Sequence, residues 1–290
     1  MVKPRLFRTI QHLALIISLS IMASTFANAD QPVTVTHLAG SVHMLEGKGG
    51  NIGISAGEDG FILIDDQFAD MAAPIEAALK PLSNGKRFYV VNTHYHADHT
   101  GGNAHFSTTR NATVFAHNNV MIRLQNDDKT SPEALPVVTY KDGVSLHLNN
   151  EIIHVRHLSA GHTDGDSIVY FERTDILHTG DLFFNGMFPY IDLSSGGDVR
   201  GYSANVHSLI ERVDIDTKII PGHGPQATRK DLEKFANMID QSISWMEHQK
   251  SKKLSLEQIQ SGDKPDWFAQ WSWNFIPTER WVTTLYEGIE

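Results

Sequence analysis

The sequence predicts an α/β protein in which two β-sheets pack face to face and helices cover their outer surfaces. Three observations carry that expectation. Short strand-like runs separated by turn residues fill two stretches, Val33 to Asp66 and Val144 to Ile219. Helix-patterned segments follow in both cases, so the chain reads as two similar halves. In each half, strands run out into glycine turns that carry histidine or aspartate, which directs the strand ends towards one edge. A sheet must bury its apolar face, and a second sheet with helices outside does so for both.

The first 29 residues read as a secretory signal. Lys3, Arg5 and Arg8 precede a 14-residue apolar run, Leu13 to Phe26, and Ala27-Asn28-Ala29 fits the small-x-small cleavage pattern. A membrane span needs roughly 20 apolar residues, so cleavage and release are expected, with no membrane contact afterwards. Residues 30–290 then form one domain with a substantial core. Losing three basic residues leaves 21 basic against 34 acidic side chains, a formal charge of −13. That balance excludes a nucleic-acid partner, which needs a basic face, and leaves a small-molecule substrate. Nothing in the sequence sets the oligomeric state. There are no cysteines, so an exported chain lacks disulfides, which suits a bacterial periplasm. Any metal it holds meets only nitrogen and oxygen.

Taken in order, Val33 to Thr36, Ser41 to Leu45, Ile52 to Ala56 and Phe61 to Ile64 are strands, with Glu58-Asp59-Gly60 as a turn. Gly47-Lys48-Gly49-Gly50-Asn51 lacks the order and lysine of a phosphate-binding loop, and is expected to be a flexible flap. Met71 to Leu82 is an amphipathic helix ended by Asn84-Gly85. After strand Phe88 to Asn92, the stretches Asn103 to Phe106 and Ala116 to Leu124 read as helical around a short strand, Val114-Phe115. Residues 125–141 are polar, contain Pro132 and Pro136, and read as a surface insertion. Strands resume at Ser145 to Leu148, Ile152 to Leu158, Ser167 to Glu172 and Asp175 to Leu177. Helix Tyr202 to Arg212 and strand Thr217 to Ile220 follow, then a long helix, Arg229 to Lys250. The tail carries Trp267, Trp271, Trp273 and Trp281, expected mostly to dock on the core rather than to wall a substrate cleft.

The chemistry concentrates where Phe88 to Asn92 gives way to Thr93-His94-Tyr95-His96-Ala97-Asp98-His99-Thr100-Gly101-Gly102. His94 and His96 are two apart, so in an extended segment their imidazoles share a side. Asp98 and His99 come after the chain turns and face a second point. A histidine-rich surface loop is the plain alternative, but three further candidates occur in the same setting of strand and glycine turn. They are His162 in Ala160-Gly161-His162, Asp181 in Thr179-Gly180-Asp181, and His223 in Pro221-Gly222-His223-Gly224. Seven ligands make two sets of three plus one shared group: His94, His96 and His162; Asp98, His99 and His223; and Asp181 as the bridge. Nitrogen and carboxylate donors at about 2.0–2.2 Å suit two zinc ions, and also iron or manganese.

With His162, Asp181 and His223 in those contexts, His94-x-His96-x-Asp98-His99 resembles the metallo-β-lactamase superfamily, from Val33 to at least Gly224. The resemblance implies the αββα sandwich with a two-metal site at the edge of the sheets, and a ligand set of the glyoxalase II and lactonase type. It matches Asp65 to an aspartate that supports the metal loop from behind, against the plain reading of a strand-end turn residue. It implies a hydrolase of a β-lactam, lactone, ester or thioester, with metal-bound hydroxide as nucleophile and Asp98 accepting its proton. Typical β-lactamases of the superfamily place a cysteine at Asp181 and a lysine three residues later; here that residue is Phe184, so weak β-lactam turnover is expected. Lactonases place a tyrosine there, and the Trp-rich tail does not resemble the basic glutathione-binding tail of glyoxalase II. An iron-dependent redox enzyme of the same fold and a non-catalytic metal-binding module are the alternatives. The remaining histidines, His178 among them, read as packing residues.

Overall fold

The computed structural model describes Met1 and residues 33–290; the expected signal segment lies outside the described residues. Strands β1 (Thr34–Ala39), β2 (Val42–Glu46), β3 (Ile52–Gly57) and β4 (Gly60–Ile64) form an antiparallel meander. Three parallel strands extend it, β5 (Arg87–Val91), β6 (Thr113–His117) and β7 (Val138–Tyr140), so the sheet has seven strands in chain order. The second sheet comprises β8 (Gly143–Leu148), β9 (Glu151–His157), β10 (Ser167–Phe171), β11 (Ile176–His178) and β12 (Lys218–Ile220). Its spatial order is β12-β11-β10-β9-β8, and only the β11–β12 pair is parallel.

Side-chain alternation along the strands builds the layers. In β4, Ile62 and Ile64 join Val169, Phe171 and Ile153 between the sheets. The alternate residues Phe61 and Leu63 face outwards with Ile75, Leu79 and Phe106. Those last come from α1 (Ala72–Leu79) and, beyond the single turn α2 (Ala97–Thr100), from α3 (Asn103–Arg110). Each such fully buried side chain contributes roughly 1.5–3 kcal/mol of transfer free energy. After α4 (Asn118–Gln125), the second sheet is covered by α5 (Val199–Ile210), α6 (Arg229–Ser251), α7 (Leu256–Ser261) and α8 (Thr278–Gly288). A capping box between Thr228 and Asp231 starts α6, whose Leu232, Phe235, Ala236, Ile239, Ile243 and Met246 are buried at helical spacing. This is the expected sandwich with helices outside. Among the described residues no helix is long and apolar enough to cross a membrane.

Two local expectations are corrected. Residues 125–141 are not wholly a surface insertion, because Val138–Tyr140 is the edge strand β7. Tyr140 is buried there, and its hydroxyl donates to Ser167 Oγ of the other sheet at 3.0 Å. A three-residue strand just after two prolines is too short to show a period. His117 closes β6 instead of lying inside a helix, and its Nδ1 accepts from Asn119 N to cap α4.

Candidate metal centre

Four strand ends deliver the seven candidate ligands to one edge. Beyond β5 the chain bends through Thr93, His94 and Tyr95 and is extended at His96, which sets the His94 and His96 rings 4.9 Å apart; the turn α2 then swings Asp98 and His99 to a neighbouring point. His162 follows β9, Asp181 sits in a 3-10 turn after β11, and His223 follows β12. Gly180 precedes Asp181 at φ +52°, in the left-handed region that only glycine adopts without cost, and its missing Cβ leaves room for Thr93.

The donor atoms fall into two groups. His94, His96, His162 and Asp181 converge within 4.8 Å of one another, as do Asp98, His99 and His223. Asp181 joins the groups, one oxygen to each. Its Oδ2 lies 3.8 Å from His94 Nε2 and 3.5 Å from His162 Nε2. Its Oδ1 lies 3.1 Å from His99 Nε2 and 3.4 Å from His223 Nε2. Asp98 Oδ2 completes the second group, 3.3 Å from His223 Nε2 and 3.6 Å from His99 Nε2.

The far side of four of the five imidazoles is held, which fixes the nitrogen each of those turns inwards. His99 Nδ1 donates to Asp65 Oδ2 at 2.8 Å. His94 Nδ1 donates to Thr93 Oγ1 at 3.0 Å, and that hydroxyl donates on to Asp65 Oδ2 at 2.8 Å. His162 Nδ1 donates to Tyr190 O at 2.6 Å, and His96 Nε2 donates to Asp192 Oδ2 at 3.0 Å. The inward atoms are therefore Nε2 of His94, His99 and His162, and Nδ1 of His96. Asp65 is fully buried at φ +68°, a conformation uncommon for a residue other than glycine. Of the two readings of Asp65, its contacts are those of a support for the loop.

The glycine stretch after β2 closes the centre from above and is not a free flap. Gly50 N donates to Asp98 O at 3.1 Å, Asn51 N to Gly222 O at 2.7 Å, and Gln67 Nε2 to Gly50 O at 2.7 Å. A Cβ at residue 50 would collide with the His99 ring, so glycine serves close approach there rather than motion.

Electrostatics match a cation site. His94 is fully buried and held well below the usual imidazole range, and burial likewise pushes His162 down to about 4, so both are neutral donors. Burial opposes charge on His223 too, but the carboxylates of Asp181 and Asp98 outweigh it and raise that imidazole to about 9. His99 is raised well above its ordinary value in the same way, against its own burial. Asp181, for all its burial, is held well below the carboxylate range by His99 and His223. Buried polar atoms nearly always have a partner. Here His94 Nε2 is buried without one, and His99 Nε2 and Asp181 Oδ1, although 3.1 Å apart, are not aligned as a hydrogen bond; all three face the cluster. The donor set, its buried lone pairs and its carboxylates fit a pair of divalent cations.

Several contributors escaped the sequence reading. Asp192, partner of His96, also accepts from Tyr95 Oη at 2.8 Å. Asp166 accepts from His162 N at 2.7 Å and Thr163 Oγ1 at 2.6 Å, tying the His162 turn. Its signal was the Asp164-Gly165-Asp166 turn, and that of Asp192 the Ser194-Ser195-Gly196-Gly197 run after it. His178 stays outside the centre, bonded to Asn51 O and Gly180 N, as a packing residue. A cleft of about 450 Å³ opens beside His96, Asp98, Asp181 and His223. Trp271 and Trp281 dock on the core as expected, whereas Trp273 lines this cleft with Phe184.

Residues 67–226, more than half the chain and all seven candidate ligands, match the family model described as the metallo-beta-lactamase superfamily. The chain is 30% identical over 136 residues to a hydroxyacylglutathione hydrolase of Polaromonas sp., covering 46% of this chain and 47% of the relative. It is 28% identical over 178 residues to an acyl-coenzyme A thioesterase of Bos taurus, covering 53% and 60%. The chain thus spans about half the length of the first of these relatives and less than two thirds of the second. Among solved structures, a metallo-beta-lactamase from Pontibacter korlensis superposes with a TM-score of 0.60 at 19% identity, over 72% of this chain and 99% of that one. The sec-alkylsulfatase Pisa1 from Pseudomonas sp. superposes with a TM-score of 0.68 at 16% identity, over 89% and 51%. At these identities the superpositions speak to the fold.

Proposed function

Since the chain belongs to the metallo-beta-lactamase superfamily, we propose that it is an exported hydrolase that uses two metal ions to cleave an ester or thioester carbonyl. The observation that carries the reading is Asp181, whose two oxygens face the two donor groups separately. His94, His96 and His162 would hold one ion, Asp98, His99 and His223 the other, and Asp181 would bridge them. Zinc suits this nitrogen and oxygen set, as do iron and manganese. When bound, such a pair supplies Lewis acidity, which polarises a carbonyl and lowers the pKa of water to about 7.

The chain's own residues do the rest. Asp98 borders the cleft, and although burial disfavours its charge, His99 holds its carboxyl below the usual range. In the metal-free chain it is therefore ionised, and with the ions bound its carboxylate would accept the proton of the attacking water. Asp65, Thr93, Asp192 and Tyr190 O hold the imidazoles in register. In a thioester, the carbonyl carbon gains the water oxygen and loses sulfur, and the proton taken by Asp98 passes to the departing thiolate. The relatives named above, a hydroxyacylglutathione hydrolase and an acyl-coenzyme A thioesterase, support an acyl-thiol substrate over a β-lactam. Export to the periplasm, with residues 30–290 as a single domain, belongs to the same proposal and rests on the Ala27-Asn28-Ala29 boundary.

Elemental analysis of protein purified from the periplasm, followed by a panel of thioesters, lactones, β-lactams and phosphodiesters, tests it. About two zinc ions per chain and thioester or ester turnover are expected. Iron alone, with oxygen consumption and no hydrolysis, would replace this reading with the redox one.

A further inference from the structure

The cleft has two unlike sets of lining residues. Phe184, Trp273, Phe275 and Tyr190 form a continuous run of rings, with successive centroids 6.2, 5.6 and 5.5 Å apart. This run reaches the ligands themselves. Phe184 stacks on His223 at 4.9 Å, and Tyr190 lies 5.5 Å from His96 and 5.7 Å from His162. The wall is braced: Trp273 Nε1 donates to Phe188 O at 2.9 Å, and the Arg280 guanidinium lies 4.8 Å from the Tyr190 ring and 4.3 Å from Phe275. Yet Phe275 remains 49% exposed, so a fixed aromatic face stands open to solvent beside the donor cluster. Phe184 and Tyr190 lie within the 67–226 match and Trp273 and Phe275 beyond it, so the wall joins the family region to the tail. Lys48, on the β2–β3 connection, is the lysine among the lining residues, apart from the candidate ligands. Its carboxylate partner Asp70, at 2.6 Å, is 61% exposed, and a pair so open holds the lysine weakly.

We propose that the cleft selects an acyl group that carries a flat apolar ring within a few bonds of the cleavable carbonyl and an anion at its far end, the rings stacking on the first and Lys48 receiving the second. This rests on the hydrolase reading above. Phe184 is itself 1% exposed and backs the wall, so a ring within a few bonds of the carbonyl meets Trp273, Phe275 and Tyr190 when the carbonyl sits at the donor cluster, and offset or edge contacts add to its area burial. A terminal carboxylate then exchanges Asp70 for the substrate at Lys48.

Three N-acetylcysteamine thioesters test it on the zinc-loaded protein: acetyl, 4-phenylbutanoyl and 4-(4-carboxyphenyl)butanoyl. The chain has no cysteine, so released thiol is read without background. For the wild type, kcat/KM should rise at least about tenfold from acetyl to phenylbutanoyl, and severalfold again with the carboxylate. Trp273→Ala and Phe275→Ala should each shrink the first ratio, and Lys48→Met the second. The ketone analogues, with CH₂ in place of sulfur, are titrated by calorimetry as a measure independent of turnover. If no thioester is cleaved but the ketones bind in this order, the hydrolase reading fails and the cleft assignment stands. Cleavage of all three at similar efficiency, or ketone affinities indifferent to ring and carboxylate, overturns the proposal.

Discussion

Asp65 Oδ2 accepts a hydrogen bond from His99 Nδ1 at 2.8 Å, and the same oxygen takes the Thr93 hydroxyl that orients His94. One carboxylate thus governs an imidazole of each donor group, from a left-handed backbone position at the end of β4. Asparagine tolerates that backbone but carries no charge. Asp65→Asn should leave the fold intact and weaken metal binding about 10–100-fold, the usual cost of losing such a partner. Competition against a chelator of known affinity measures it, with circular dichroism as the control for folding. Unchanged affinity would leave Asp65 an ordinary strand-end residue.

Asp181 presents one oxygen to each donor group, and its charge offsets the repulsion between two divalent ions held close together in a partly dry site. Asp181→Ala should lower metal content from about two per chain towards one and abolish most turnover. His223→Ala should empty only the Asp98/His99 side, since the His94, His96 and His162 nitrogens form a separate group. Elemental analysis of each variant decides between these outcomes. Two ions bound to Asp181→Ala with unchanged affinity would sink the bridging role.

The layers of the fold and the convergence of the seven candidate ligands were legible because both are written in short-range pattern. The unbroken apolar run Phe61-Ile62-Leu63-Ile64 marks a strand with two buried faces, and a histidine beside a glycine at a strand end marks an edge. What stayed hidden depends on contacts between distant residues. Asp192 stands 96 positions from His96, and no local spacing links them. Gly47 to Asn51 read as mobility because sequence shows a missing side chain without showing what fills the space, here the His99 ring at Gly50. The tail tryptophans look alike in sequence; only packing sends Trp271 and Trp281 into the core and Trp273 to the cleft.

Phe184 bears on β-lactam chemistry. It lines the cleft, stacked on His223, and offers no charge to a substrate carboxylate. A charge-assisted contact is worth roughly 1.5–3 kcal/mol, or about ten- to a hundredfold in rate. Phe184→Lys should therefore raise kcat/KM for a penicillin by up to that factor while lowering it for the aryl thioester, because the buried ring that backs Trp273 and His223 is lost. A variant that folds and shows neither change would mean that residue 184 does not meet the substrate.

The two donor groups should also part company with pH. His94 and His162 are held below the usual imidazole range, so at pH 7 their nitrogens are free to bind a cation. In protein stripped of metal, His99 is raised well above that range and His223 up to about 9, so both carry protons at pH 7. A cation entering beside Asp98 must displace those two protons, whereas one entering at His94 and His162 displaces none from those residues. Affinity at the Asp98 side should therefore fall steeply, by up to about tenfold per proton per pH unit, as pH drops below about 9. Dialysis from pH 8 to pH 6 should remove one ion of the pair and leave the other. Calorimetry in buffers of different ionisation enthalpy should show about two more protons released by the second ion than by the first. Without metal the sign for folding is opposite: the raised His223 contributes stability fully present below about pH 6.5 and lost as pH rises through about 9. Equal proton release by both ions, or loss of both together on acidification, would contradict the division of the centre into a neutral and a charged half.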